Sequence, residues 1–175
     1  DKTILAVGRL APQKNFDILL NIWQRLSIQF PDWKLRIIGE GPERVFLEKL
    51  IMELNIKNSV ELCGLSKNIW SEYSRSRLFV LTSKYEGFPN ALLEAMASGC
   101  SCISFDCPSG PSELIKDGIN GILVENRNTD LFASSVTRVI ESEEFQIETS
   151  ARAMSVREKY EKSRITKEWI DLLGL

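Results

Sequence analysis

Short, almost continuously apolar runs alternate along the chain with longer segments in which apolar residues recur at helical spacing. Strands of a sheet that is covered on both faces have this apolar character. The runs predict strands at residues 3–7, 35–38, 60–62, 78–81, 102–105 and 121–124. The segments between and after them predict helices at residues 15–30, 45–54, 69–75, 89–97, 112–115, 130–140, about 145–158, and 163–173.

Strands that alternate with helices are typical of crossover units, in which consecutive strands run parallel. We therefore predict an α/β fold, a Rossmann-like, doubly wound parallel sheet with helices on both faces. Ligands of such folds bind at the carboxyl ends of the strands. With 175 residues, 43% of them hydrophobic, the chain can bury one core. We expect a single domain over residues 1–175, with terminal helices from about residue 130 onward.

Composition excludes several classes of function. The formal net charge of −2 gives no electrostatic footprint for nucleic acid. Histidine is absent from the sequence, which removes the commonest general base and every Ser-His or Cys-His nucleophile. The four cysteines show no CxxC spacing, which disfavours zinc and favours a reduced compartment. Because the apolar runs are also too short to span a bilayer and no secretory signal opens the sequence, we expect a cytoplasmic location.

The most informative segment runs from Glu86 to Glu94. It places one carboxylate on a turn with Gly87, a proline where a helix can begin (Pro89), and a second carboxylate inside that helix. The first helical turn has N–H groups without partners, which attract anions. The two carboxylates suit hydroxyl groups instead. The segment predicts a ligand that carries both phosphate and sugar, although a negatively charged first turn is also ordinary helix chemistry.

Two cations are expected at the same edge of the sheet. Arg9 follows Gly8 at the end of the first predicted strand, and Lys14 lies on the next loop. An arginine can hold a phosphate through two parallel hydrogen bonds, and a lysine supplies a mobile point charge. The turn Gly39-x-Gly41-Pro42 ends the second strand but lacks the third glycine of a dinucleotide fingerprint. Solvated surface cations and a plain turn stay open as alternatives.

Several glycine-containing motifs occur in one order along the chain. They are Gly8-Arg9-Leu10 with Lys14, Gly39-x-Gly41-Pro42, Glu86-Gly87-Phe88 through Glu94-Ala95-Met96-Ala97-x-Gly99, Gly110-Pro111-x-Glu113-Leu114-Ile115, and Asp117-Gly118-x-Asn120-Gly121-x-Leu123-Val124. The ordered set resembles the C-terminal, nucleotide-sugar-binding half of the family-4 retaining glycosyltransferases, which have the GT-B fold. The resemblance covers residues 3 to about 140. The sequence Phe88-Pro89-Asn90-x-Leu92-Leu93-Glu94 is similar to that of bacterial members that extend surface polysaccharides or lipid-linked oligosaccharides from UDP-sugars.

The resemblance implies roles for individual residues. As catalytic residues it implies Arg9 and Lys14, which hold the donor diphosphate and stabilise it as leaving group, and Glu86, near the hydroxyls of the transferred sugar. Glu94 would hold the ribose hydroxyls. The implied donor-binding residues are Gly8, Gly64, Leu65, Gly87, Phe88, Pro89, Asn90, Ala91 and Glu94, with Gly64 and Leu65 near the base. No DxD pair is present, so we expect no metal and no cofactor, the nucleotide-sugar being a substrate.

The resemblance also implies a two-domain enzyme whose acceptor site lies on an N-terminal half absent from this chain. The expected partners are a nucleotide-sugar donor and a glycan or lipid-linked acceptor, with no nucleic acid. The full-length enzyme could associate peripherally with the inner face of the membrane. The chain alone should fold but transfer little or no sugar. The family often has glycine where this chain has Asn15 and Pro89, and proline supplies no amide donor.

Two readings other than a transferase stay open. One is a non-catalytic module that binds a nucleotide or sugar phosphate, which the retention of both cations and both glutamates disfavours. The other is a Rossmann-like interaction domain whose turns are only structural. An oxidoreductase is disfavoured, because the sequence places neither a GxGxxG turn nor the acidic residue about 20 positions later.

Overall fold

The computed structural model describes residues 2–173, and within them the chain forms a six-stranded parallel sheet with helices between the strands. The elements are β1 (Thr3–Val7), α1 (Phe16–Gln29), β2 (Lys34–Ile38), α2 (Arg44–Glu53), β3 (Val60–Gly64), α3 (Ile69–Arg75), β4 (Leu78–Leu81), α4 (Asn90–Ala97), β5 (Ser101–Asp106), α5 (Pro111–Leu114), β6 (Ile122–Glu125), α6 (Thr129–Glu141), α7 (Glu143–Ala153), α8 (Val156–Lys159) and α9 (Lys162–Leu173). Within the same residues, no helix is both long enough and apolar enough to cross a membrane.

The strand order is β3-β2-β1-β4-β5-β6. The chain starts in the middle of the sheet, moves outward through β2 and β3, and then returns to place β4 on the other side of β1. The order therefore reverses between β1 and β4, and folds of this kind bind ligands at the carboxyl ends of the strands beside such a reversal. The predicted doubly wound α/β fold is confirmed.

Helices cover both faces of the sheet because successive side chains of a strand point to opposite faces. Ile4 of β1 belongs to one apolar cluster together with Trp23 of α1. Its neighbour Leu5 belongs to a second cluster with Tyr73 of α3 and Leu92 of α4. The near-continuous apolar character of the strands thus reflects two buried faces, as the sequence pattern predicted.

The start of α2 lies one residue before the helix predicted at residues 45–54. The helix begins at Arg44, because the preceding residues are tied to the loop after β1 instead. The Glu43 amide donates to the Leu10 carbonyl at 2.9 Å. A Cβ on Gly41 would lie 2.3 Å from that same carbonyl oxygen, so the two loops touch along their backbones.

The predicted helix over residues 145–158 is in fact two helices, α7 and α8, separated at Met154 and Ser155. Both sides of the break are anchored, since Ala153 and Val156 are buried in the second apolar cluster. Arg157 Nε then donates to the Ala97 carbonyl at the end of α4, at 2.6 Å. The break therefore lets α8 turn onto α4, one of the helices that form the site described below.

The close contact between the loops after β1 and β2 yields a stability prediction. Gly39 has φ +148°, and a Cβ on it would lie 1.8 Å from the Gly8 carbonyl oxygen. Because that oxygen belongs to the backbone, no change of side-chain rotamer can relieve the clash. Gly118 has φ +70° and open space around it. We expect Gly118→Ala to lower the free energy of unfolding by about 1–2 kcal/mol through backbone strain. Gly39→Ala should lower the free energy of unfolding by roughly 1–3 kcal/mol more than Gly118→Ala does, because it adds the clash with Gly8. Urea denaturation measures both, and equal losses would contradict the contact.

Candidate functional site

The residues singled out in the sequence lie along the carboxyl edge of the sheet, on loops that follow β1, β3 and β4 and at the start of α4. Arg9 follows β1, Gly64 ends β3, and Glu86 lies on the loop after β4. Glu94 lies in α4, whose first residue is Asn90 at the same edge. The fold thus assembles on one side of the molecule residues that are separated widely along the chain.

Lys14 and Glu86 form a largely buried ion pair at this edge. Lys14 Nζ donates to Glu86 Oε1 at 2.7 Å, and the two side chains are only 17% and 6% exposed. Ser83 Oγ donates to the same oxygen at 2.5 Å. Gly8 leaves room for the lysine stem, because a Cβ there would lie 2.9 Å from Lys14 Cε. Lys14 is therefore neither a solvated surface residue nor the mobile point charge predicted from the sequence.

The loops that carry this pair are joined by further hydrogen bonds. The Lys84 amide donates to the Gln13 carbonyl at 2.8 Å, and Gln13 Nε2 donates to the Tyr85 carbonyl at 2.9 Å. Thr82 Oγ1 donates to the Lys14 carbonyl at 3.1 Å. Asn15 then begins α1 in the left-handed conformation, with φ 58° and ψ 36°, which asparagine tolerates better than most residues. The pair is held by its backbone as well as by its charges.

Arg9 occupies a different environment, because it is exposed at a rim formed by the loops after β1, β2 and β3. It helps to line a shallow depression of about 330 Å³ together with Gly39, Glu40 and Leu65. Leu65 is 78% exposed on the far side of that depression. Among residues 2–173, Arg9 forms no ion pair, so its guanidinium remains available to an anionic ligand.

The turn before α4 offers fewer amide donors than its length suggests. Pro89 has no N–H, and the Asn90 amide donates back to the Phe88 carbonyl at 2.9 Å. Within residues 2–173, the amides of Gly87, Phe88 and Ala91 donate to no protein acceptor. These three N–H groups are the ones that an anion at the start of α4 could use.

Pro89 is accommodated by a second tight turn, the one before α5. Gly110 has φ +108°, and a Cβ on it would lie 2.3 Å from Pro89 Cδ. Next to the proline, the ring of Phe88 packs against Tyr160, with ring centroids 5.8 Å apart. Residues far apart in the sequence thus fix the turn that carries Gly87 and Phe88.

Glu94 is held by a hydroxyl group rather than by a cation. The Tyr73 hydroxyl donates to Glu94 Oε2 at 2.9 Å. Sequence analysis missed Tyr73 and Ser83, because each carries no signal of its own beyond a single polar atom. Their roles become visible only once α3 and the loop after β4 are placed against their partners.

A family model and curated relatives match this chain. The model of the family described as "Glycosyl transferases group 1" matches residues 1–156. The amylovoran biosynthesis glycosyltransferase AmsD of Erwinia amylovora is 38% identical over 171 residues, which are 98% of this chain and 48% of that protein. The N-acetylgalactosamine-N,N'-diacetylbacillosaminyl-diphospho-undecaprenol 4-alpha-N-acetylgalactosaminyltransferase of Campylobacter jejuni is 32% identical, over 99% of this chain and 47% of that protein.

A solved structure is also close to this chain. A mutant of TarM from S. aureus, crystallised with fondaparinux, alpha-GlcNAc-glycerol and UDP, superimposes with a TM-score of 0.94 at 28% identity. The match covers all of this chain and 36% of that one. The chain spans about half the length of the curated relatives described above.

The buried ion pair gives a prediction that needs no ligand. Glu86→Gln leaves the Lys14 ammonium without its counter-charge, and Lys14→Met does the same to the carboxylate. Because breaking a buried pair strands a charge, we expect each variant to lower the free energy of unfolding by about 2–4 kcal/mol. The double variant should lose clearly less than the sum. Urea denaturation of all three variants measures this cycle.

The exposed pair between Lys2 and Asp32, with side chains 55% and 76% exposed, is the matched control. Lys2→Met and Asp32→Asn should each change stability by less than about 1 kcal/mol. Additive losses at Lys14 and Glu86 would mean that the two side chains do not act as a pair.

Proposed function

The chain belongs to the group 1 glycosyl transferases, and from that membership we propose that it is the donor-substrate domain of a retaining glycosyltransferase. It would move a sugar from a nucleotide diphosphate sugar, a UDP-sugar, to a glycan or lipid-linked acceptor. The observation that carries the proposal is that Arg9, the Lys14–Glu86 pair and the amides at the start of α4 all lie at the carboxyl edge of one sheet.

The cations and the amides suit the diphosphate. An ammonium has three N–H donors, and Glu86 takes one of those of Lys14, so the others remain for phosphate oxygens. Arg9 lies exposed at the rim, and the amides of Gly87, Phe88 and Ala91 lie at the start of α4. Donors fixed in advance stabilise the charge that develops on a departing diphosphate. This is the protein's main contribution to the transfer, and it requires no metal.

The carboxylates suit the sugars. Glu86 Oε1 already accepts from Lys14 and Ser83, which leaves Oε2 to accept from a hydroxyl of the transferred sugar. Glu94 has one oxygen bonded to Tyr73, and its other oxygen can accept from the ribose. Retention fits a site in which the leaving group departs on the face that the acceptor enters, without an enzyme nucleophile.

The relatives support the choice of donor and acceptor. TarM was crystallised with UDP, and the name of the Campylobacter relative describes an undecaprenol-linked acceptor. Because the chain spans about half of such proteins, the acceptor would meet it through the remaining half of the full-length enzyme. We propose a cytoplasmic enzyme that meets lipid-linked acceptors at the inner face of the membrane.

The donor site can be tested directly by calorimetric titration of the chain with UDP. We expect saturable binding with a Kd between about 10 μM and 1 mM, unchanged by EDTA. Arg9→Ala and Glu94→Ala should each weaken it at least tenfold, roughly, since each removes a charged hydrogen-bonding partner. Lys57→Ala and Glu53→Ala, exposed residues at the opposite edge of the sheet, are the matched controls and should bind as the wild type does.

UDP binding that EDTA abolishes would overturn metal independence. The absence of binding at millimolar UDP would contradict the donor site.

A second experiment compares this chain with the full-length enzyme in a transfer assay with UDP-sugar and acceptor. We expect the chain alone to be slower by at least ~100-fold, because the acceptor is not positioned. Robust transfer by the 175-residue chain would contradict the proposal that the acceptor binds to the other half of the enzyme. A full-length enzyme that binds UDP but transfers no sugar to any acceptor would indicate a non-catalytic module.

A further inference from the structure

Tyr73 is a polar residue in the middle of the second apolar cluster. Its side chain is fully buried, at 0% exposure, between Trp70 and Phe79, whose ring centroids lie 6.1 and 6.0 Å from its own. Its backbone carbonyl accepts from Cys100 Sγ at 3.2 Å. These contacts fix the phenol ring, and the only polar group that its hydroxyl reaches within residues 2–173 is Glu94 Oε2, at 2.9 Å.

Glu94 and Glu86 are held by different kinds of group. Glu86 is bonded to an ammonium, whereas no cation lies within ion-pair distance of Glu94 in the described part of the chain. A phenol donates one hydrogen bond and stays neutral, because burial, and then the adjacent carboxylate, raise the pKa of Tyr73 far above its usual value. The Glu94 carboxylate is thereby oriented but keeps its full charge and its second oxygen.

From this geometry we propose that Tyr73 is a positioning residue that orients Glu94 to accept hydrogen bonds from the ribose 2′- and 3′-hydroxyls of the donor. The inference rests on the proposed function, which assigns the ribose to Glu94, and it adds the residue that holds the Glu94 carboxylate in place. Without the phenol, the carboxylate would sample several rotamers, and holding it in one of them would fall to the ligand.

A consequence distinguishes this role from simple core packing. Loss of the Tyr73 hydroxyl should weaken binding only to ligands that have ribose hydroxyls. A packing defect would instead weaken binding to every nucleotide alike. The probes are therefore UDP and 2′,3′-dideoxy-UDP, which share the base and the diphosphate and differ in the hydroxyls that Glu94 would contact.

The experiment titrates both probes into the wild-type chain and into Tyr73→Phe, Glu94→Gln and the double variant. We expect Tyr73→Phe to raise the Kd for UDP by roughly three- to tenfold, the scale of one hydrogen bond, and to leave the Kd for 2′,3′-dideoxy-UDP within about twofold. Glu94→Gln should abolish the preference for UDP, and the double variant should bind UDP no more weakly than Glu94→Gln alone. Ser135→Ala removes a buried hydroxyl on α6, outside the proposed site, and should leave both constants unchanged.

Each other outcome overturns the inference in a recognisable way. Equal weakening for both probes in Tyr73→Phe would assign Tyr73 to packing, and unchanged binding would show that Glu94 needs no support. In both cases UDP binding that depends on Arg9 and Glu94 would leave the proposed function intact. A wild-type chain that binds both probes equally would refute the assignment of Glu94 itself, whereas one that does not bind UDP would contradict the proposed donor site as a whole.

Discussion

The Lys14–Glu86 ion pair is the constraint on which the geometry of the site depends. It joins the loop after β1 to the loop after β4, the two loops that flank the reversal of strand order. An ammonium at this edge would otherwise be drawn toward any nearby anion or into solvent. Because the carboxylate holds it in advance, the ammonium need not be ordered when a ligand arrives. The surrounding Thr82 and Gln13 hydrogen bonds serve the same end.

The two glutamates of the segment 86–94 have different electrostatic properties, because their hydrogen-bond partners differ. Glu86 shares its charge with Lys14, so the pair is close to neutral and can lie beside a phosphate without strong repulsion. Glu94 keeps its charge, because its partner is the neutral phenol of Tyr73. It suits a place farther from the phosphates, where hydroxyl groups must be bound tightly. Spacing alone could not separate these two cases.

Much of the fold was predictable, because it follows from local pattern. Two buried faces require continuous apolar strands, and all six of them were predicted close to their observed bounds. Family membership was also predictable from the ordered motifs. The partners within the site were not, since Lys14 and Glu86 lie 72 positions apart and Tyr73 and Glu94 lie 21 apart. The broken helix at Met154 depends likewise on contacts with α4, which no periodicity records.

Pro89 lowers the number of backbone amide donors at the start of α4. A glycine in that place would bring an amide donor, whereas Pro89 brings none and the Asn90 amide is bonded to Phe88. An anion at this helix start would therefore meet fewer backbone donors, and the proposed function assigns a larger share of its stabilisation to the charges of Arg9 and Lys14. In exchange the proline fills the space against Gly110, so the turn is rigid. The chain thus has a rigid turn with fewer amide donors where a glycine would have offered an additional, more mobile dipole.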